Sequence, residues 1–427
     1  MKKFFALIAL SILVPLSAFA SVTLEYCLAK AEENYPLIQI YGLVEKTTEI
    51  SLSDINKSWL PRVGVYAQAT LQNNVPAFPE TLNNILAQLG QNPKGLGHAQ
   101  YNVGVDLAQT IWDGGASKAQ REIERASSAE LQSEIAVKIY AVRERVMNLY
   151  FGVLLMDEQI AQTKNTLSLL QANLHTMKKM KEEGVAMQSD VDMIEAQALT
   201  LTQQLAGAES VAKSYREVLA VYVGESLEGQ QFAKPDATMP ANLESARPEF
   251  EMFKAKRTLN NACMSAIEST IMPKVGFFAQ AWYGYPGLNN FASMINRDLS
   301  FNVLAGVKIS WNIDSFYTKK NSRRKLAIAN EGIDNDREMF QYNTRLQTSG
   351  QMAEIEGTQA VMKEDARIVA LRGSVRQAAE SQLRNGVIDA TALLTKITDE
   401  NQARLAASYH EIQLLQNIYK LKNTLNK

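Results

Sequence analysis

The residue types that ordinarily carry chemistry are sparse in this chain of 427 residues. Its three histidines, His98, His175 and His410, are scattered, with no ligand spacing around them, so no metal is expected. No histidine lies in a nucleophile motif, and carboxylates such as Glu182 and Asp365 read as the solvated face of helices. The expectation is therefore of no enzyme and no cofactor. Cys27 and Cys263 are two isolated cysteines, read as packed free thiols rather than a disulfide framework. The spacing that does stand out belongs to glycine. Gly184-Val185 and Gly386-Val387 each interrupt a long helical pattern, and a sharp reversal there needs a residue that tolerates positive φ. Ser189 or Asp190 would cap the helix that returns from the first reversal.

These two reversals are copies, because the chain repeats itself. Pro36 and Pro61 recur as Pro248 and Pro273, a shift of 212 residues, and Pro61-Arg-Val-Gly-Val-Tyr-Ala-Gln68 matches Pro273-Lys-Val-Gly-Phe-Phe-Ala-Gln280. Gly104-Val105 and Gly184-Val185 recur as Gly306-Val307 and Gly386-Val387, a shift of 202. Each half reads as helix, strand, loop, strand, long helix, turn, long helix. The expected repeats are 21–223 and 246–427, with 224–245 as a linker containing Gly229, Pro235 and Pro240. Strands are expected near 61–72, 100–112, 273–284 and 300–312, and long hairpins near 116–223 and 316–425.

The strands alternate. Tyr101, Val103, Val105, Leu107 and Ile111 lie opposite Asn102, Gly104, Asp106, Ala108 and Thr110, and the other segments follow with a less clean third one, where Phe278 and Trp282 join the polar set. Alternation alone fits a half-buried soluble sheet. Two further features favour lipid on the apolar face. Lys2 and Lys3 precede an apolar run from Phe4 to Leu16 and the small-residue pattern Ala18-Phe19-Ala20, a secretory signal expected to span residues 1–20. Aromatic residues (Tyr101, Trp112, Trp282, Tyr283, Phe301, Trp311) also cluster at the strand ends, where an interfacial belt would lie. Four strands cannot close a barrel, and lipid does not tolerate open edges, so several copies must share one; three would give twelve strands. Without Lys2 and Lys3, 42 basic residues face 45 acidic ones, which gives no electrostatic case for nucleic acid.

The helices exceed what a globular core needs. Ile135, Ile139, Val142, Val146, Leu149, Val153, Met156 and Ile160 continue through Thr163 to Leu167, Leu170, Leu174 and Met177 in steps of four and three. A helix over 116–182 has 67 residues and would be about 100 Å long.

Assembled in this order, the chain resembles the TolC family of outer-membrane efflux proteins over essentially its whole mature length. The resemblance rests on Thr23-Leu24-Glu25 with Asn34-Tyr35-Pro36, on Leu60-Pro61 and Met272-Pro273, on Arg247-Pro248-Glu249, and on the strand-to-helix motif Trp112-Asp113-Gly114-Gly115. The counterpart around Asp314 lacks the glycines and the preceding aromatic, which leaves its turn geometry open. What the resemblance implies is a homotrimer in the outer membrane of a Gram-negative-type bacterium, in contact with outer-membrane lipid and extending into the periplasm. A twelve-stranded barrel would continue into a periplasmic helical tube. It further implies a passive conduit of a tripartite efflux or type I secretion system, opened by a periplasmic adaptor and an inner-membrane pump of the RND, ABC or MFS type. Gly184, Val185, Ser189, Asp190, Gly386 and Val387 would form the tips that meet the adaptor. Family members place constricting carboxylates where this chain has Ala392 and Thr395, and Asp389, nearby, is the candidate that could substitute for them. The alternative is a non-conducting periplasmic coiled-coil structural protein, which accounts for the helices but not for the four alternating strands.

Overall fold

The computed structural model describes residues 21–91 and 93–427, so the expected secretory signal over 1–20 lies outside the described residues. Helix α1 (Leu24–Asn34) starts at Thr23, whose hydroxyl accepts a hydrogen bond from Tyr26 N, and it stops ahead of Pro36. After α2 (Ile38–Lys57), Pro61 turns the chain into β1 (Arg62–Leu71). A connection holding the short α3 (Glu80–Gln88) leads to β2 (Ala99–Trp112), then to α4 (Ala116–Glu182) and α5 (Gln188–Val223). The second repeat runs α6 (Glu249–Thr270), β3 (Lys274–Tyr285), α7 (Asn290–Asn296), β4 (Ser300–Ser310), α8 (Ser315–Arg384) and α9 (Ala390–Leu425). In places the duplication holds to the residue: both ends of α5 shifted by 202 are both ends of α9.

Two compact units result, one made of residues up to Ile40, Glu134–Phe250 and Glu338–Lys427, the other of Tyr41–Ser133 and Glu251–Arg337. The second unit contains the sheet, four antiparallel strands in the order β1-β2-β3-β4. Its registers place every odd-numbered strand residue on one face, as in the rows Val65-Val105-Ala281-Val303 and Ala67-Val103-Tyr283-Phe301. A bulge between Thr110 and Trp112 sets Trp112 opposite Val275, adding the indole to that face. The burial is inverted relative to a sheet that covers a core. Val65 is 79% exposed and Leu71 84%, with Phe301, Val307 and Ile309 also bare, while Asn302 on the other face is buried.

Glycines account for the large side chains on that other face. A Cβ on Gly104 would lie 2.7 Å from Trp282 Cβ and 3.0 Å from the Tyr66 ring, and one on Gly306 would lie 3.0 Å from the Phe278 ring. Tyr66, Trp282 and Phe278 therefore lie against backbone that carries no side chain. This resolves the uneven alternation of β3. Between the strands, α3 and α7 give the connections local structure, held by Leu96, Tyr285 and Met294, by Tyr285 Oη receiving the Gly97 N–H at 2.6 Å, and by Arg297 donating to Gly95 O at 3.0 Å.

The other unit buries its apolar residues in the ordinary way. Ile135, Ile139, Val142, Val146 and Val153 on α4, and Val191, Ile194, Leu201 and Leu219 on α5, are buried at the expected heptad positions, and Thr163 is buried on the same seam. Helix α9 has two packing seams: Ile412 and Leu415 join α1, α4 and α5, while Ile418, Leu421 and Leu425 cover Ile355 of α8. Residues 224–245 contain no helix and run beside Val22, which forms a parallel bridge to Phe232. The Tyr150 hydroxyl pins this junction, within 2.8 Å of Val22 O and 2.6 Å of Ala233 O. Both cysteines are free thiols, and burial pushes Cys27 up to about 12.

Candidate functional site

The two helix reversals are closed by the same hydrogen-bond pattern. At the first, Val185 N donates to Met180 O at 2.8 Å and Gly184 N to Lys181 O at 3.0 Å; at the second, Val387 N donates to Gln382 O and Gly386 N to Leu383 O, both at 2.9 Å. These paired bonds satisfy the last carbonyls of α4 and α8, and they require the left-handed conformation that Gly184 (φ 79°) and Gly386 (φ 69°) adopt. The following residues differ. Asp389 is the N-cap of α9, its Oδ1 accepting from Ala392 N at 2.8 Å. The matching position on α5 is Met187, and that helix is closed from inside its first turn by Asp190, whose Oδ2 accepts from Met187 N at 3.0 Å. Of the two capping candidates there, Asp190 makes the bond and Ser189 lies within the first turn.

The structure brings the two reversals together. Leu170, Met177, Val191 and Ile194 of the first hairpin and Ala379, Leu383, Ala390, Leu393 and Ile397 of the second form one buried cluster. Thr391 Oγ1 lies 3.3 Å from Met193 Sδ across it. Outside this cluster Val185, Met187 and Val387 are largely exposed.

A charged network behind the tips is one that sequence reasoning misses. Glu400 is only 4% exposed and receives Arg376 Nε at 2.7 Å and Arg404 Nη2 at 2.7 Å, while Arg376 also meets Glu380 at 2.8 Å. Burial pushes the Glu400 carboxyl up, and the hydrogen bonds and charges of Arg376 and Arg404 outweigh it, leaving its pKa lowered. The i,i+4 pairs Arg376–Glu380 and Glu400–Arg404 are visible as spacing, but their convergence across two helices is not.

At the strand-to-helix turns the two halves diverge. Asp113 accepts from Gly115 N at 2.9 Å and from Ser117 N at 2.6 Å. Burial raises the pKa of Asp113, and the hydrogen bonds from Ser117 and Gly115 lower it by more. Gly114 (φ 70°) is doubly required, because a Cβ there would sit 2.6 Å from Met272 Cβ. Around Asp314 no left-handed residue occurs. Phe316 N and Tyr317 N bond back to Ile313 O and Asp314 O, and Trp311 Nε1 donates to Ile271 O at 2.8 Å. The missing glycines thus leave a plain helix start stapled by an indole.

Among the described residues no group of His, Cys, Asp and Glu could hold a metal ion, and no helix is long and apolar enough to cross a membrane.

Comparison with known proteins adds to this geometry. Residues 55–225 match the family model described as outer membrane efflux protein. Among solved structures, VceC from Vibrio cholerae aligns over 94% of this chain and 95% of its own, with a TM-score of 0.67 at 12% identity. The Neisseria gonorrhoeae MtrE outer membrane channel in its open state aligns over 94% and 88%, with a TM-score of 0.64 at 13% identity. Campylobacter jejuni CmeC, also an outer membrane channel, aligns over 95% and 86%, with a TM-score of 0.64 at 11% identity. No curated relative matches by sequence. Residues 55–225 are thus similar in sequence to outer membrane efflux proteins, and the chain shares the fold of these outer membrane channels over almost its whole length.

Proposed function

We propose that this chain is one of three copies forming an outer-membrane channel, a passive export conduit of a tripartite efflux or type I secretion system. The observation that carries this reading is the sheet. Its apolar residues are aligned across all four strands, mostly exposed on β1, β2 and β4 and half-buried on β3, and its two outer strands are each paired on one side only. Lipid covers such a face, and closure through further copies removes the edges. Three copies supply twelve strands. In this reading the conduit does no chemistry on its cargo, and the energy for export comes from an inner-membrane pump acting through a periplasmic adaptor.

The tips at Gly184-Val185 and Gly386-Val387 suit adaptor docking, with exposed apolar residues on a rigid, capped scaffold. Asp389, exposed at the second tip, is the carboxylate that three copies would bring to the periplasmic mouth. Unheated detergent extracts are expected to run as a trimer and to give single-channel currents in a planar bilayer. A detergent-free soluble monomer would instead support the non-conducting structural protein. Gly386→Pro, or a bulky residue at Gly184, is expected to abolish export while the trimer persists; undiminished export would remove the tips from the mechanism.

A further inference from the structure

The sheet sorts its charges as strictly as its apolar residues. The strands contain four charged side chains, Arg62, Asp106, Lys274 and Lys308, and all four are even-numbered, on the face opposite the aligned valines. Three of them are cations, at the strand ends that adjoin α2, α6 and α8. The registers set them on successive rows: Arg62 level with Ala108 and Phe278, Lys308 with Gly276 and Thr110, and Lys274 with Ser310. Such rows are about 7 Å apart, within the screening length of about 10 Å in dilute salt, so the three charges add to one field. All three are exposed, and among the described residues none of them forms an ion pair. The one carboxylate, Asp106, is half-buried and lies over the next strand, where a Cβ on Gly64 would be 2.8 Å from its Oδ2.

Two rows beyond Arg62, away from the long helices, the same face becomes aromatic. Tyr66, Gly104, Trp282 and Asn302 share that row. The Tyr66 ring rests on the Gly104 backbone from one side and Trp282 adjoins it from the other, so two half-buried aromatic residues flank one bare stretch of backbone. Phe278, over Gly306, lies in the Arg62 row itself. Cations at strand ends commonly reach for lipid headgroups, but that requires a place on the lipid face. Residues 62, 274 and 308 share the opposite face with Asp106 and Asn302.

We propose that this face makes the lumen of the closed barrel selective for anions that carry a flat aromatic ring. With three copies each row becomes a ring, and rings of Arg and Lys with few carboxylates favour anions over cations. Cargo moving outward meets Lys274, Lys308 and Arg62 first, which draw its anionic group. Tyr66 and Trp282 then offer faces on which an aromatic ring stacks. The inference rests on the trimeric channel proposed above and names the class of cargo that its barrel favours.

Two measurements on the full-length protein in planar bilayers test it. Under a potassium chloride gradient, Arg62→Gln with Lys274→Gln and Lys308→Gln is expected to displace the reversal potential toward potassium relative to wild type, and Lys308→Gln alone to displace it less in the same direction. A reversal potential that neither variant moves overturns the charge selection. Naphthalenesulfonate added from the barrel side is expected to block the wild-type current at roughly tenfold lower concentration than methanesulfonate, which has the charge without the ring. It is likewise expected to block better than naphthalenemethylammonium, which has the ring with the opposite charge. Tyr66→Leu with Trp282→Leu should remove the advantage over methanesulfonate and leave the reversal potential in place. Equal block by the three probes overturns the selectivity, and an advantage that survives both leucines overturns the stacking. Wild type that is monomeric and passes no current defeats the trimer itself, whereas a conducting trimer without these preferences defeats only the lumen's selectivity.

Discussion

Leu393 and Val105 are both aliphatic residues at regular positions of long elements, yet the first has no exposed surface and the second is 43% exposed. In the hairpin unit one chain buries its own apolar seams. In the sheet unit the chain presents an equally regular apolar face and leaves most of it exposed on β1, β2 and β4. The difference locates the missing solvent: the hairpin ends are stabilised by the chain's own packing, while the sheet draws on surroundings that one chain cannot supply.

This contrast can be tested from its strongest term downward. Leu393→Ala removes the centre of the cluster joining the tips and is expected to cost about 4 kcal/mol, seen as faster hydrogen exchange across both hairpin ends. Val105→Arg is expected to cost about 3 kcal/mol when unfolding is measured in lipid vesicles, where the arginine sits against hydrocarbon. An exposed substitution of this kind in water usually stays within about 0.5 kcal/mol, so a negligible effect in vesicles would erase the distinction between the two units. Glu400→Gln leaves Arg376 short of a partner and is expected to cost about 2 kcal/mol near neutrality. Because the folded pKa of Glu400 is depressed, its contribution is present above the ordinary value of 4.5 and lost as pH falls through the lower folded value. The glutamine variant should therefore lose that acid-side dependence, and melting curves across pH read it directly. Asp389→Ala removes one cap and is expected to cost about 1 kcal/mol locally at the start of α9.

Much of this architecture is legible in the order of the residues, for reasons that differ by element. The strands show because residues 62–71 and 99–112 alternate, and the repeat places their partners. The limits of α4 fall at Ala116 and Glu182 as expected, and its end shows because Gly184 in the left-handed region closes the helix. The third strand resists, since Phe278 and Trp282 look misplaced until Gly306 and Gly104 are known to lie beneath them. Asp314 resists too, since the indole of Trp311 replaces a glycine turn through a contact 40 residues away in sequence. Helices α3 and α7 read as loop because stretches of nine and seven residues carry too little periodicity to register. Glu400 stays hidden because burial of a charge depends on which helices converge, and local spacing does not report that.

The glycines under the sheet's inward rings carry a further consequence. With Tyr66, Trp282 and Phe278 recessed into backbone notches at Gly104 and Gly306, the sheet stays thin where its side chains are widest. If three copies close the cylinder as proposed, the notch at Gly306 sets its bore, because an alanine there would press the Phe278 ring toward the axis, whereas an alanine at Gly104 would also meet the Ala281 carbonyl at 2.7 Å and disturb the strand itself.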